Sequence, residues 1–214
     1  MHVVITGANR GIGRALLDHY RALGHDVTGT ARHDADLTPL DVSDPDSIAA
    51  FARHLDGQPV DLLICNAGLY ADKHHKLDDG YPAQMWADTF ATNVTGVFLT
   101  IQALLPNLRA APGARVAIIS SQMASQTRAP GRSFIYCASK AAALNLGRNL
   151  AVDLKPEGIA VGIYHPGWVR TDMGGEAGEI SADESASGLA ERFADLGPDT
   201  TGCFQTWDGR DHPF

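Results

Sequence analysis

The sequence has few cysteines and no long apolar run. Cys65, Cys137 and Cys203 are odd in number and far apart, which argues against a disulfide framework and against a zinc site. No apolar run approaches the length of a membrane span. The N-terminus enters a glycine turn after one short strand and does not resemble a secretory signal. We therefore expect a reduced, cytoplasmic protein with no structural metal and no membrane partner.

Basic residues are also scarce. Lys and Arg number 17 against 25 Asp and Glu, the net charge is −8, and no basic block is present. This balance argues against a nucleic-acid partner. Internal repeats and linker-like tracts are missing too. A chain of 214 residues with 44% apolar and 20% charged residues is typical of a globular protein, and we predict one domain spanning residues 1–214.

Strand-like apolar runs alternate with helical patterns along the chain. This alternation predicts a doubly wound α/β domain with a parallel sheet. The predicted strands are 2–6, 26–30, 37–40, 60–65, 114–119, 159–164 and 203–207. The predicted helices are 14–23, 45–55, 85–108 (interrupted at Asn93 and Gly96), 133–154 and 181–196.

A glycine-rich turn, Gly7–Gly13, joins the first predicted strand to the first helix. In this context Gly7 permits a tight turn, Gly11 lets the backbone approach a pyrophosphate, and Gly13 lets the helix lie close to the strand. The helix N-terminus would then face the anion with free N–H groups. The alternative is an ordinary turn between strand and helix, which three glycines at this spacing disfavour.

Two arginines bear on the choice of dinucleotide. The second strand is followed by Arg32, where NAD-binding folds carry an acid for the ribose 2′-hydroxyl, and Arg10 precedes Gly11. Two cations and a missing acid favour NADP over NAD, although NAD(H) remains an alternative. Both arginines could instead be solvated surface charges.

The segment with the clearest chemistry contains Tyr136 and Lys140. Residues four apart on a helix share one face, and an ammonium beside a phenol favours the phenolate and pulls the phenol pKa toward neutrality. A strand ending in Ser120-Ser121 precedes the pair. Together with the glycine turn, these features predict a hydride-transfer site. An ordinary amphipathic helix is the alternative. Ala143 and Gly147 continue the same face, which we expect to be small enough for a cofactor to lie against it.

Other polar residues lie near predicted strand ends. Asn66-Ala67-Gly68 follows the fourth strand, at the edge where ligands bind in open α/β sheets. Asn93 lies among apolar residues and either caps a kink or holds a water. His74-His75 is interpreted as solvated loop, because adjacent residues diverge and no third ligand is near. The glycine-containing stretch 174–178 is a candidate lid.

The ordered set of motifs resembles the short-chain dehydrogenase/reductase family over nearly the full chain. The motifs are Thr6-Gly7-x-x-x-Gly11-Ile12-Gly13, Asn66-Ala67-Gly68, Asn93, Ser121, Tyr136-x-x-x-Lys140 and Pro166-Gly167. The stretches 116–123 and 165–175 and the ending Trp207-Asp208-Gly209 resemble the compact branch around bacterial C-factor and sniffer-type carbonyl reductases.

The resemblance implies a seven-stranded Rossmann sheet, a nicotinamide cofactor and a catalytic tetrad of Asn93, Ser121, Tyr136 and Lys140. It implies adenine contacts from Asp41 and Val42, a ribose border from 66–68, and carboxamide contacts from Val169 and Thr171. The full expected cofactor set is Gly7, Asn9, Arg10, Gly11, Ile12, Gly13, Arg32, Asp41, Val42, Asn66, Ala67, Gly68, Tyr136, Lys140, Pro166, Gly167, Val169 and Thr171. The long interval between Ser121 and Tyr136 leaves Ser120 as an alternative hydroxyl, and we select Ser121 because it is nearer the loop.

We therefore predict an NADP(H)-dependent oxidoreductase that interconverts a small carbonyl compound and an alcohol, with Tyr136 as acid and base. The rival is a nucleotide-sensing or signalling protein that uses the same fold with little or no turnover. A sugar-nucleotide epimerase fits less well, because the C-terminal region is too small. The interrupted helix 85–108 is a candidate homodimer face.

Overall fold

The computed structural model describes all 214 residues and contains one seven-stranded parallel sheet. The spatial order of the strands is β3-β2-β1-β4-β5-β6-β7. The strands are β1 His2–Ile5, β2 Asp26–Ala31, β3 Thr38–Pro39, β4 Leu62–Cys65, β5 Arg115–Ile119, β6 Ala160–His165 and β7 Phe204–Thr206. The predicted α/β fold with a parallel sheet flanked by helices is confirmed.

Seven α-helices flank the sheet. They are α1 Gly11–Ala22, α2 Pro45–Leu55, α3 Ala83–Phe90, α4 Gly96–Ala103, α5 Leu105–Arg109, α6 Phe134–Leu154 and α7 Ala182–Ala194. A π-helical turn, Ala91–Thr95, joins α3 to α4, so the interruption predicted within 85–108 is real. None of the helices combines the length and the apolar character needed to cross a bilayer.

The sheet is buried on both faces because successive strand residues point to opposite sides. On one face Leu63, Val116 and Ile118 pack with the side chains of α2, α4 and α6. On the other face Ile64 and Ile119 pack with α1 and α7. This two-sided core explains why β4 and β5 are almost continuously apolar in the sequence.

Local capping signals set several helix ends where the sequence predicts them. The Asp44 side chain accepts a hydrogen bond from the Asp46 N–H at 3.0 Å, and Pro45 occupies the first turn of α2. Ser181 and Glu184 form a reciprocal capping box at the start of α7. The strand order reverses between β1 and β4, and this crevice at the carboxyl ends of the strands is where such sheets bind ligands.

Candidate active site

The turns after β1 and β4 are tied together at this crevice. The Thr6 hydroxyl accepts the backbone N–H groups of Asn66 and Ala67, both at 3.0 Å. The Asn66 side-chain amide donates to the carbonyls of Thr6 and Gly7, also at 3.0 Å each. Asn66 therefore holds the glycine turn in shape. It lies beside the expected ribose position, but its amide is already engaged by the protein.

The glycine turn leaves no room for side chains at its two ends. Gly7 has φ +67°, in the left-handed region. A Cβ at Gly13 would lie 2.1 Å from the Gly7 carbonyl oxygen, so only glycine lets α1 approach β1 this closely. The start of α1 has no side-chain cap, and its first turn contains no acidic residue. Free N–H groups at a positive helix end fit a phosphate group.

Both arginines singled out for cofactor choice are exposed. Arg10 pairs with Asp172 at 2.9 Å, across the mouth of the crevice. Arg32, which follows the end of β2, lies near Asp41. Burial favours a higher Asp41 pKa, but hydrogen bonds from Ser43 and the Arg32 charge outweigh it and hold that pKa below its ordinary value. Each arginine therefore lies beside a carboxylate, near the segment expected to meet the adenosine.

Val42 lies against the π-helical turn. A Cβ at Gly96 would be 2.3 Å from the Val42 carbonyl oxygen, so glycine brings these two backbones into contact. Val42 is buried and Asp41 is half-buried. The two residues expected at the adenine thus belong to one compact corner of the crevice.

Tyr136 is buried in the first turns of α6. Its ring stacks on Tyr70 with centroids 4.0 Å apart and an interplanar angle of 20°. Burial raises the pKa of Tyr136 above its ordinary value, and hydrogen bonding with Ser121 opposes that rise. The phenol is therefore protonated at neutral pH.

Lys140 lies one turn further along α6 and is also buried. Its ammonium donates to the Ile119 carbonyl at 2.9 Å and lies 5.7 Å from the centroid of the Tyr136 ring. Burial lowers the pKa of Lys140 to about 8. The sequence-based expectation that Lys140 brings the phenol pKa toward neutrality is wrong for this structure, because the cost of burying a phenolate dominates.

The two serines after β5 have different partners. The Ser120 hydroxyl donates to the Lys140 carbonyl at 3.1 Å and is used within the protein. The Ser121 hydroxyl accepts the Met123 N–H at 3.1 Å. Hydrogen bonding between Ser121 and the Tyr136 phenol lowers the pKa of that phenol, against the larger effect of burial. Ser120 is thus engaged within the protein, and Ser121 is the serine beside the Tyr136 phenol.

Asn93 lies within the π-helical turn and is 1% exposed. Its carbonyl accepts the Leu69 N–H at 2.7 Å, and its amide donates to the Leu69 carbonyl and to the Ser139 hydroxyl, both at 2.9 Å. The Ser139 hydroxyl in turn donates to the Tyr136 carbonyl at 2.8 Å. Asn93 thus links the loop after β4 to α6.

The loop after β6 lies next to the glycine turn. Thr171 lies 3.3 Å from where a Cβ on Gly11 would be, and Val169 forms a bridge with Ile180. The Pro166 carbonyl accepts the Ser185 hydroxyl at 2.7 Å, and Gly167 has φ +88°.

The glycines of 174–178 do not make this loop open. Trp168 Nε1 donates to the Gly174 carbonyl at 3.0 Å, and Cβ atoms at Gly174 and Gly178 would clash with the Val169 backbone. These glycines permit tight packing of the loop, and its role as a lid stays a prediction.

The small residues of α6 have a similar explanation. A Cβ at Gly147 would lie 2.6 Å from the Ile163 side chain, and Ala143 is buried. Gly147 packs on the sheet, so the expectation that a cofactor lies against this end of the face is wrong. No group of three or more metal-ligating side chains is present.

Sequence reasoning missed two residues of the site, Tyr70 and Asp72. Asp72 is fully buried, and its carboxylate accepts the Ile135 N–H at 2.8 Å. The sequence separation of 63 residues explains the omission, since no local pattern connects the two positions.

Comparison with known proteins shows the family and the fold. A model of the family described as short chain dehydrogenase matches residues 1–181. C-signal from Myxococcus xanthus is 37% identical over 166 residues, which cover 77% of this chain and 99% of that protein. The NADPH-bound carbonyl reductase from chicken fatty liver superposes with a TM-score of 0.90 at 30% identity, covering 100% of this chain and 98% of that one. The carbonyl reductase Sniffer of D. melanogaster gives a TM-score of 0.92 at 26% identity, covering 100% and 99%. With the glycine turn, the Tyr136/Lys140 pair and this match in sequence and fold, the chain belongs to the short-chain dehydrogenase family.

Proposed function

We propose that this protein is an NADP(H)-dependent oxidoreductase that reduces an aldehyde or ketone to an alcohol, or catalyses the reverse reaction. The observation that carries the proposal is the burial of Tyr136, Ser121 and Lys140 together at the carboxyl edge of the sheet. They lie on the strand-to-helix segments next to the crevice that contains the uncapped start of α1. A protein that only binds a nucleotide has no need of a buried phenol with a serine partner.

In the proposed reaction Tyr136 donates its proton to the carbonyl oxygen of the substrate. The raised pKa keeps the phenol protonated at neutral pH, which is the form that can donate. Efficient transfer requires a lower pKa in the reacting complex, and the charge of Lys140 would favour that change. Ser121 donates a hydrogen bond to the same oxygen as negative charge develops there. The nicotinamide, when bound, supplies the hydride that completes the alcohol.

Lys140 would support the phenolate that Tyr136 leaves behind. Its ammonium lies near the ring and is charged below a pKa of about 8. We also assign it the hydroxyls of the nicotinamide ribose. Asn93 fixes Leu69 and, through Ser139, the backbone of Tyr136. We therefore assign to Asn93 the positioning of the phenol and of the water that returns a proton to the phenol.

We further propose NADP(H) over NAD(H). The support is the exposure of Arg10 and Arg32 and the missing acid at the end of β2. The similar carbonyl reductase from chicken fatty liver is NADPH-bound. We expect a fluorescence titration to show tighter binding of NADPH than of NADH. In Arg32→Ala most of that difference in affinity should be lost. Equal affinities would contradict the preference.

The direct test of function is NADPH consumption with a panel of aldehydes, ketones and quinones. We expect turnover with at least one class, followed as loss of NADPH absorbance. Binding of NADPH without turnover across the panel would favour the second candidate, a nucleotide-sensing protein. The similarity to C-signal, over 99% of that protein, is the observation behind that candidate.

We also propose a cytoplasmic homodimer. The cytoplasmic location is supported by the cysteines, since Cys65, Cys137 and Cys203 form no disulfide. The dimer is supported by Trp86 and Phe98 on the segment 83–103, which are 37% and 38% exposed. Light scattering tests the dimer, which Trp86→Ser with Phe98→Ser should weaken. A monomer in the unaltered protein would refute it.

A further inference from the structure

A buried carboxylate lies at the start of the helix that holds Tyr136. Asp72, in the loop after β4, has no exposed surface, and its oxygens accept the backbone N–H groups of Ile135 at 2.8 Å and Tyr136 at 3.3 Å. It forms no salt bridge with Lys, Arg or His. A buried carboxylate is costly without partners, so these amide donors are what stabilises its charge.

The helix needs this acceptor because it cannot be capped from its own sequence. Ser133 precedes α6 with φ 48° and ψ 42°, whereas a capping residue is normally extended. Its hydroxyl is hydrogen-bonded to the Tyr70 phenol at 2.6 Å and makes no cap. The first amides of α6 would therefore have no partner, and Asp72 reaches them from 63 residues earlier in the chain.

We propose that Asp72 is a positioning residue for Tyr136, fixing the first turn of α6 so that the phenol is held toward Ser121. The proposal rests on the catalytic role of Tyr136 in the proposed function. Tyr70 shares the task, since the same loop stacks its ring on Tyr136. Asn93 holds this loop through its hydrogen bonds to Leu69. The contacts that fix the start of α6 therefore extend to the π-helical turn.

Few charged groups face this part of the site. The groups that face Tyr136 are Tyr70 and Asp72 from the loop, Ser121 from the end of β5, and Cys137 and Lys140 from α6. Asp72 itself is faced by Tyr70, Tyr81, Tyr136 and Cys137. Burial is the main cause of the raised pKa of Tyr136, and the Asp72 carboxylate is only a minor contribution in the same direction. The role of Asp72 is therefore its hydrogen bonds to the first turn of α6.

The test compares Asp72→Asn and Asp72→Ala with the unaltered protein, measuring kcat and KM for carbonyl reduction at neutral pH. Asp72→Asn keeps an acceptor oxygen and loses the charge, whereas Asp72→Ala loses both. Asp78→Asn is the matched control, because it removes an exposed charge from the same loop. NADPH affinity and the melting temperature are measured alongside.

For Asp72→Ala we expect kcat to fall about tenfold, with KM and NADPH affinity changed by less than about twofold, because Asp72 positions the phenol and does not bind the substrate. Asp72→Asn keeps an acceptor for the Ile135 and Tyr136 N–H groups and should recover part of that kcat. Asp78→Asn should match the unaltered protein.

An unchanged kcat in Asp72→Ala, with the unaltered protein active, would overturn the proposal. A loss of kcat that matches the loss of NADPH-binding protein and shows no recovery in Asp72→Asn would indicate a purely structural Asp72 and would overturn it as well. If the unaltered protein turns over no substrate in either direction, the proposed function fails and this role fails with it. The two failures are thus distinguished by the unaltered protein alone.

Discussion

Asn93 binds both backbone polar groups of Leu69. Its carbonyl accepts the Leu69 N–H at 2.7 Å, and its amide donates to the Leu69 carbonyl at 2.9 Å. A neighbouring β-strand would bind the N–H and carbonyl of a residue in the same way. Here one side chain takes the place of that strand. The π-helical turn inserts an extra residue into the helix, which is how such turns commonly aim a functional side chain inward. The relationship fixes the loop that carries Tyr70 and Asp72.

Replacement of Asn93 should therefore affect stability as well as activity. Asn93→Ala leaves the Leu69 N–H and carbonyl without their partner, which should lower the free energy of unfolding by about 2 kcal/mol. Urea denaturation measures the loss. Asn145→Ala, at an exposed position on α6, is the control and should change it by less than about 0.5 kcal/mol. Equal effects of the two substitutions would show that the Leu69 pairing contributes nothing.

Ser120 and Ser121 should separate stability from catalysis. Ser121→Ala removes the hydroxyl that acts on the phenol, and kcat/KM should fall about 100-fold to 1000-fold. Ser120→Ala removes the bond to the Lys140 carbonyl and should cost about 1 kcal/mol of stability with most activity kept. Steady-state kinetics and urea denaturation of both variants check this division. A larger activity loss in Ser120→Ala would reverse the assignment.

The glycine turn offers a steric prediction. In Gly13→Ala the new methyl group would lie 2.1 Å from a backbone oxygen of Gly7, so α1 must move away from β1. We expect a stability loss of about 1 to 3 kcal/mol and weaker NADPH binding. Gly197→Ala is the matched control, because nothing lies within 4 Å of the added atom. Unchanged NADPH affinity in Gly13→Ala would contradict the phosphate site.

Lys140 gives a pH prediction. Burial lowers its pKa from 10.5 to about 8, so between those values the folded protein has lost a proton that the unfolded chain still holds. Stability relative to Lys140→Met should therefore rise with pH across that window, by up to about 1.4 kcal/mol per unit. The difference between the two proteins isolates Lys140 from the tyrosines. A difference that stays constant from pH 7 to pH 10 would mean that Lys140 titrates normally.

The features that the sequence predicts correctly are local ones. The spacing of Gly7, Gly11 and Gly13 and the capping box at Ser181 depend on neighbours within one turn, and the structure contains both. The sheet follows from alternation of apolar strands and helices. Boundaries differ by up to three residues: α1 begins at Gly11, and β3 shrinks to Thr38–Pro39.

What the sequence cannot predict depends on burial and on distant partners. The direction of the Tyr136 pKa shift follows from the burial of its ring, which the four-residue spacing to Lys140 does not determine. Gly147 was expected to face a cofactor and faces Ile163, because a helix carries small residues wherever it packs closely. Asp72 and Tyr70 reach α6 from another part of the chain, so no motif includes them.

The central claim is that the Tyr136 phenol is the group that exchanges a proton with the substrate. The most direct measurement is turnover by Tyr136→Phe with a carbonyl substrate that the unaltered protein reduces, alongside NADPH binding by fluorescence. Because only the hydroxyl is lost, we predict NADPH affinity within about twofold and kcat reduced by at least about 1000-fold. A Tyr136→Phe variant that retains most of its kcat would contradict the account.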